Sequence, residues 1–393
     1  MVKFPYWLII LSAGLIMLFM FIANHGSASI LRRNHKKLIG LELLRCLCAF
    51  SVLLWHYASF GQGDGTFARA KQPFYAVLHF MYDYGLYSVM LFWSISGFVF
   101  FWKYNESVSK KLIGAKHFFV LRFSRLYPLH IVTLVIVAVL QAIYFHQYKH
   151  FCIYKNNDFK HFILQLFFAG NWVVTDEYSF NGPVWSISLE VLVYLIFFLS
   201  LRFFGNSPLI VLIQILTSFL VLTFVSDHEI FSCILYFFLG ALASVIYSLN
   251  TKYDLSPGTK HSLSPFLLDA GVFLSLFVAN ALRLFHMLNI YHTILISLPC
   301  ALFLCVKYSP DYKFSTKIIT LAGNLTYASY LLHFPVQLLI VTLFKFTNHA
   351  LPWYKSSFFL VYIALVYALS FIVYKFFEMP AQNSIRKYFR KFS

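Results

Sequence analysis

The sequence predicts an all-α fold, a polytopic transmembrane helical bundle of about eleven spans, and three observations predict it. Of 393 residues, 60% are hydrophobic and only 11% are charged, whereas an ordinary globular domain carries about 25% charged residues. Apolar runs of about twenty residues recur from end to end, each long enough at 1.5 Å per residue to cross about 30 Å of hydrocarbon. The runs are continuously apolar and do not alternate in segments of about ten residues, which argues against a transmembrane β-barrel.

The spans fall at 5–23, 38–58, 85–102, 129–146, 183–203, 208–225, 230–248, 266–284, 289–306, 325–344 and 357–377. The first has a short basic start, "MVK", but lacks an A-x-A-like cleavage site, so it reads as an uncleaved helix and not as a signal peptide. The span at 129–146 opens on Pro128, and that at 183–203 opens on Asn181-Gly182-Pro183, a clean helix start. Segment 159–169 is apolar but short, and is expected to lie at an interface or re-enter. The longest polar connections are 59–84, 103–128, 147–182 and 249–265, the last a flexible loop rich in Ser, Pro and Gly. No soluble domain and no repeat of fixed period is present.

Net charge is +17. With the N-terminus outside and the C-terminus cytoplasmic, the inner segments, taken with the span ends that adjoin them, hold 21 of the 31 Lys and Arg, the outer ones hold nine, and Arg45 sits deep within a span. Positive residues favour the cytoplasmic side, so this orientation is the expected one. The basic balance is a topology signal, and no nucleic-acid partner is inferred. The six cysteines lack zinc-ligand companions and read as small apolar fillers, and no metal is expected.

A few polar residues stand out within the apolar runs. Arg45 and His56 are eleven residues apart, a rotation about 20° from three full turns and a rise of about 16 Å, so they share one face of their helix. Glu42, three residues before Arg45, is placed to pair with it. Ionisable residues inside spans usually face a bundle interior or cavity; the bland alternative is a snorkelling arginine and an interfacial histidine. Ser94, Ser96 and Gly97 interrupt an aromatic span and suit either a site or close helix packing. Arg122 and Arg125, at i and i+3 just before Pro128, make a fork for phosphate or are ordinary positive-inside charge. Ser186, Glu190 and Tyr194 form a stripe, and a buried carboxylate such as Glu190 needs a partner, for which Arg45 is the structural candidate. Tyr330 and His333 stand near mid-span just before Pro335, which frees a carbonyl and is placed to kink the helix.

Six stretches, taken in order, resemble the membrane acyltransferase-3 family: "LELLRCLCAFSVLLWHY", "FWSISGFVF", "RFSRLYPLH", "NGPVWSISLEVLVYL", "LTYASYLLHFPV" and "YKFFEMP". The first carries the family's Arg-x10-His signature at Arg45 and His56, with Glu42 where relatives usually have Asp. The resemblance covers about residues 38–380 and implies a ten-span core. Residues 1–37 are then an extra N-terminal transmembrane helix with a basic cytoplasmic loop, and 381–393 a basic cytoplasmic tail.

The resemblance implies O-acyl transfer, most often of acetyl, from cytoplasmic acyl-CoA (acetyl-CoA) to a hydroxyl of a cell-surface carbohydrate such as lipopolysaccharide O-antigen or an exopolysaccharide. It implies a multi-pass protein of the bacterial inner (plasma) membrane, with the bilayer, acyl-CoA and a carbohydrate acceptor as partners, and His56 as the main catalytic residue, either base or acyl carrier. The chemistry of the residues agrees. A histidine suits removal of a hydroxyl proton. Arg122 and Arg125 suit the donor's phosphates. Arg45 and Glu190 complete the candidate catalytic set, with Glu42, Ser96, Trp185, Ser186, Tyr330 and His333 as substrate-binding or supporting residues. A secondary transporter of a lipid-linked sugar or small metabolite would use the same intramembrane charges for a proton relay, but no paired broken helices point to one. A membrane-bound O-acyltransferase of the other large family is disfavoured by the spacing of Arg45 and His56.

Overall fold

The structure, a computed structural model, describes residues 38–62, 67–172, 178–254, 264–284, 290–308 and 313–391. The expected span at 5–23, and with it the extra N-terminal segment 1–37, lies outside the described residues. Every regular element among the described residues is helical. The helices are α1 (Ile39–Tyr57), α2 (Tyr75–Tyr84), α3 (Tyr87–Ser109), α4 (Ala115–Tyr148), α5 (Phe159–Leu166), α6 (Trp185–Phe204), α7 (Pro208–Phe224), α8 (Glu229–Asp254), α9 (Ser264–Leu284), α10 (Ile290–Lys307), α11 (Lys313–Phe346), α12 (Ser356–Val373) and α13 (Met379–Arg390).

Local signals set several ends. Asp158 caps α5 by accepting from the His161 backbone N–H at 2.8 Å. Ser207 caps α7 ahead of Pro208, and Gly205, at φ +84°, ends α6 in a conformation that costs a glycine little.

The side-chain pattern is that of a protein in lipid. On α4 the exposed face is Val132, Val135, Ile136, Val139 and Ile143, while the buried face carries His130, Thr133 and Gln141. Polar groups turn inward because hydrocarbon offers them no partner. Six helical stretches are long and apolar enough to cross a membrane, or up to seven if the α2–α3 pair is one bent span. This is therefore a multi-pass helical bundle. Among the described residues the count reaches six or seven by this measure; α7, for example, falls short of the length required.

Two expected connections are helical. The segment 59–84 contains α2, which meets α3 at a 62° bend. Gly85 sits at the bend, where a Cβ would lie 2.5 Å from Trp55 Cβ and 2.7 Å from the Ser51 carbonyl oxygen of α1. The stretch before Pro128 is not a connection either: α4 runs unbroken from Ala115, with Pro128 inside it. A membrane bundle tolerates such a proline because neighbouring groups satisfy the backbone; nearby, Tyr327 of α11 donates its hydroxyl to the Leu126 carbonyl. Likewise α11 runs from Lys313 through Pro335 to Phe346, beyond the expected 325–344. The short segment near 159–169 forms the eight-residue α5, too short to cross a membrane.

The bundle is organised by two helix pairs. Helices α3 and α8 make the most extensive contact, and α1 lies along α11. In the first pair a Cβ on Gly97 would fall 1.7 Å from the Phe237 carbonyl oxygen, and one on Gly240 would fall 1.7 Å from the Ser94 carbonyl oxygen. The two backbones thus touch reciprocally, which only glycine permits. In the second pair Gly323 of α11 leaves space for the Glu42 carboxylate of α1, whose Oε2 lies 2.1 Å from where a Cβ would be.

Substituting Gly97→Ala places a methyl group against backbone that cannot swing aside. Stability should fall by at least about 1–3 kcal/mol, the usual cost of overpacking. Thermal unfolding of the purified variant in detergent, beside Gly271→Ala, where a Cβ meets nothing within 4 Å, checks this; an unchanged melting temperature for Gly97→Ala would contradict the close approach.

Candidate active site

Five helices line a partly open cavity. Arg45 comes from α1, Ser96 from α3, Arg122 and Arg125 from α4, Ser186, Glu190 and Tyr194 from α6, and Tyr327 and Tyr330 from α11. Residues spread over nearly 300 positions are gathered because each lies on the inward stripe of its own helix. Three guanidiniums line the space against one carboxylate, so it is electropositive.

Arg45 is paired with Glu42, one turn back on α1: Nη1 lies 3.4 Å from Glu42 Oε2 and 3.5 Å from Oε1. The expected pairing with Glu42 is therefore present. The alternative partner, Glu190, is held differently. It accepts from the Tyr194 hydroxyl at 2.5 Å and from the Ser96 side chain, and forms no ion pair within 4 Å among the described residues. Arg45 and Arg125 add longer-range positive charge. Glu190 is thus held by hydroxyl donors within an electropositive setting, which corrects the expected direct pair with Arg45.

Arg122 and Arg125 share the face of α4 that lines the cavity. Arg122 donates through Nη2 to the Tyr104 hydroxyl at 2.6 Å, and its guanidinium lies 4.6 Å from the centre of the Phe100 ring and 5.2 Å from that of Tyr104. Such a stacked arginine is fixed in place by cation–π attraction. Its Nε is buried with no partner among the described residues.

The histidines lie beyond the cavity. Tyr330 lines it and bridges outward: its hydroxyl shares a 2.7 Å hydrogen bond with Ser186 Oγ and donates to the Pro183 carbonyl at 2.8 Å. The Tyr330 and His333 ring centroids are 5.9 Å apart, and those of His333 and His56 are 4.9 Å apart. So Arg45 faces the cavity, while His56, about 16 Å along α1, faces His333 of α11. The shared face of α1 is real, but Tyr330 stands between its two ends. Trp185 does not line the cavity; it packs edge to face on Trp93, with ring centroids 5.7 Å apart, and Trp93 donates to the Ser186 carbonyl at 3.2 Å.

Pro335 leaves a carbonyl free, as its position implies. It cannot donate to the Leu331 carbonyl four residues back. Asn181 does so instead, with Nδ2 at 3.0 Å. The Asn-Gly-Pro helix start and the proline of α11 are therefore one device.

Sequence reasoning missed Tyr104 and Gln337. Gln337 donates to the His56 carbonyl at 3.0 Å. It could have been found as the next member of a polar stripe, Ser329, His333 and Gln337, at four-residue spacing. Tyr104, an aromatic in an aromatic-rich helix, gave no such signal. Glu378, inside the quoted "YKFFEMP", is buried in a π-helical turn, and its Oε2 has no hydrogen-bond partner among the described residues. Among the described residues no three His, Cys, Asp or Glu side chains gather in a way that would hold a metal.

With this geometry in place, comparison decides the family. The family model described as an acyltransferase domain matches residues 38–375. The chain belongs to the acyltransferase-3 family. Neither the curated proteins nor the solved structures contain a match. The acyltransferase fold thus spans α1 through α12 and takes in Arg45, His56, the α4 arginines, Glu190 and His333.

The Asn181–Leu331 bond can be tested by a double-mutant cycle. Asn181→Ala leaves a buried carbonyl without a donor and should cost about 1–3 kcal/mol. Pro335→Ala restores an N–H to the same carbonyl, so Asn181→Ala with Pro335→Ala should recover most of that loss. Thermal melts of the four proteins measure the coupling; strictly additive effects would show that the two residues act separately.

Proposed function

We propose that this acyltransferase moves an acyl group, acetyl foremost, from acyl-CoA to a hydroxyl of a cell-surface carbohydrate such as lipopolysaccharide O-antigen or an exopolysaccharide. The observation that carries the reading is one continuous line of side chains. It begins at the three guanidiniums of the cavity, passes Tyr330 and ends at the His333–His56 ring pair.

The donor's chemistry fits the first part of that line. Acyl-CoA brings phosphates, which guanidiniums bind through charge-assisted hydrogen bonds. It also brings an apolar arm, which Phe92, Val99 and Leu126 in the cavity lining suit. The orientation proposed puts the Arg45 end of α1 at the cytoplasm of a bacterial inner membrane and the His56 end outside, in keeping with the distribution of Lys and Arg.

His56 is prepared for its role by its backbone. Nδ1 lies 3.0 Å from the Val52 carbonyl oxygen. A carbonyl only accepts, so Nδ1 carries the hydrogen and Nε2 the lone pair. Nε2 then takes the proton of the acceptor hydroxyl as its oxygen bonds to the thioester carbonyl carbon. The C–S bond breaks, and His56 returns the proton to the leaving thiolate. An acyl-histidine route would use the same lone pair. Glu190, with its hydroxyl donors, sits among the cavity cations and orders them around the donor.

His56→Ala should lower acyl transfer by at least about 10²–10⁴-fold, the usual share of a positioned acid–base group, while the protein still accumulates in membranes. Labelled acetyl-CoA incubated with those membranes, followed by counting of label in glycan, checks it. Near-normal incorporation removes His56 from the mechanism, and uptake of label with no incorporation by the unaltered protein points to transport.

Arg122→Ala and Arg125→Ala should each weaken acyl-CoA binding by about 10–100-fold, the equivalent of one charge-assisted bond of about 1.5–3 kcal/mol. Competition by free CoA should weaken in parallel. Unchanged affinity in both variants would mean that these arginines only set topology.

A further inference from the structure

His56, His333 and Gln337 meet where α1 lies along α11, and their partners show which of their polar atoms carry hydrogen. His333 Nδ1 lies 3.3 Å from the Ser329 carbonyl oxygen, so Nδ1 is its N–H and Nε2 its lone pair. The Gln337 amide nitrogen donates to the His56 carbonyl, so Oε1 is the opposite, accepting end. His333 and Gln337 are both fully buried, and His333 Nε2 and Gln337 Oε1 have no donor among the described residues. Both unsatisfied atoms are acceptors, they belong to residues one helical turn apart on α11, and each residue touches His56. A buried acceptor without a donor costs more than an ordinary hydrogen bond contributes, so two of them beside the His56 ring make a place where a molecule bringing hydrogen-bond donors would be held.

That ligand must bring donors. A carboxylate or phosphate would set lone pairs against lone pairs. A monohydric alcohol has one O–H, which the His56 Nε2 lone pair already claims. We propose that these atoms form the acyl-acceptor subsite and that it selects a neutral polyol with adjacent free hydroxyls: one hydroxyl donates to His56 Nε2 and is esterified, and its neighbours donate to His333 Nε2 and Gln337 Oε1. The inference rests on the acyl-transfer reading above and narrows its acceptor to an unmodified vicinal diol within a sugar. His333 and Gln337 form no bond to the acyl group. The proton lost by the attacked hydroxyl goes to His56 and then to the thiolate.

The test uses the full chain reconstituted in nanodiscs with acetyl-CoA and two probes, cyclohexane-1,2-diol and cyclohexanol. Mass spectrometry of the esters gives kcat/KM for each. The unaltered protein should prefer the diol by about 10-fold or more. Gln337→Leu and His333→Phe, each confirmed as folded by gel filtration, should bring that ratio toward one. A ratio of one in the unaltered protein, or a preference kept in both variants, overturns the proposal. Saturation-transfer NMR of the same diol gives a readout that needs no turnover. Signal that is present in the unaltered protein and lost in Gln337→Leu supports the subsite even if no ester forms, in which case acyl transfer is the reading that fails. Absent or equal signal means that water alone fills these acceptors, and the subsite is rejected.

Discussion

A polar group buried in a membrane bundle has only other protein groups, or what they enclose, for partners. Most of this structure follows from that constraint. Arg45 takes Glu42, and α11 carries a glycine at 323 so that the carboxylate can fit. Arg122 takes the Tyr104 hydroxyl and two aromatic faces. The carbonyl released by Pro335 takes Asn181. Each solution ties two helices together or pins a side chain at the cavity wall. The polar residues that make the site are thus also among the contacts that hold the bundle around it.

Much of this was legible in the chain. Charged and hydroxylated residues inside apolar runs are conspicuous, and helical spacing shows which of them share a face; Arg45 with Glu42 and Arg122 with Arg125 were readable for that reason. The role of Pro335 was readable from the geometry of one missing N–H. Helix ends were less readable. Hydropathy marks where a span is apolar, not where hydrogen bonding stops, so α4 and α11 run well past the apolar stretches and straight through their prolines.

The partner of Glu190 was misread for a related reason. A charge in an apolar run invites pairing with the nearest opposite charge, but a carboxylate is equally well held by hydroxyl donors, and Tyr194 lies one turn away on its own helix. The place of Tyr330 between the cavity and the histidines was out of reach of sequence altogether. It depends on how α6 and α11 cross, and on the hydroxyl bridge from Tyr330 to Ser186 and Pro183.

The reciprocal glycine contact of α3 and α8 has a mechanical consequence. With backbone pressed on backbone at Gly97 and Gly240, neither helix slides or rolls past the other without steric collision, so the pair behaves as a single rigid wall. Ser96 therefore keeps its place on that wall while other sides of the chamber adjust. On α11, by contrast, the hydrogen-bond ladder lacks one donor at Pro335, and a side chain just ahead of α6 supplies it, so that wall is held by a side chain where α3 and α8 are held by backbone.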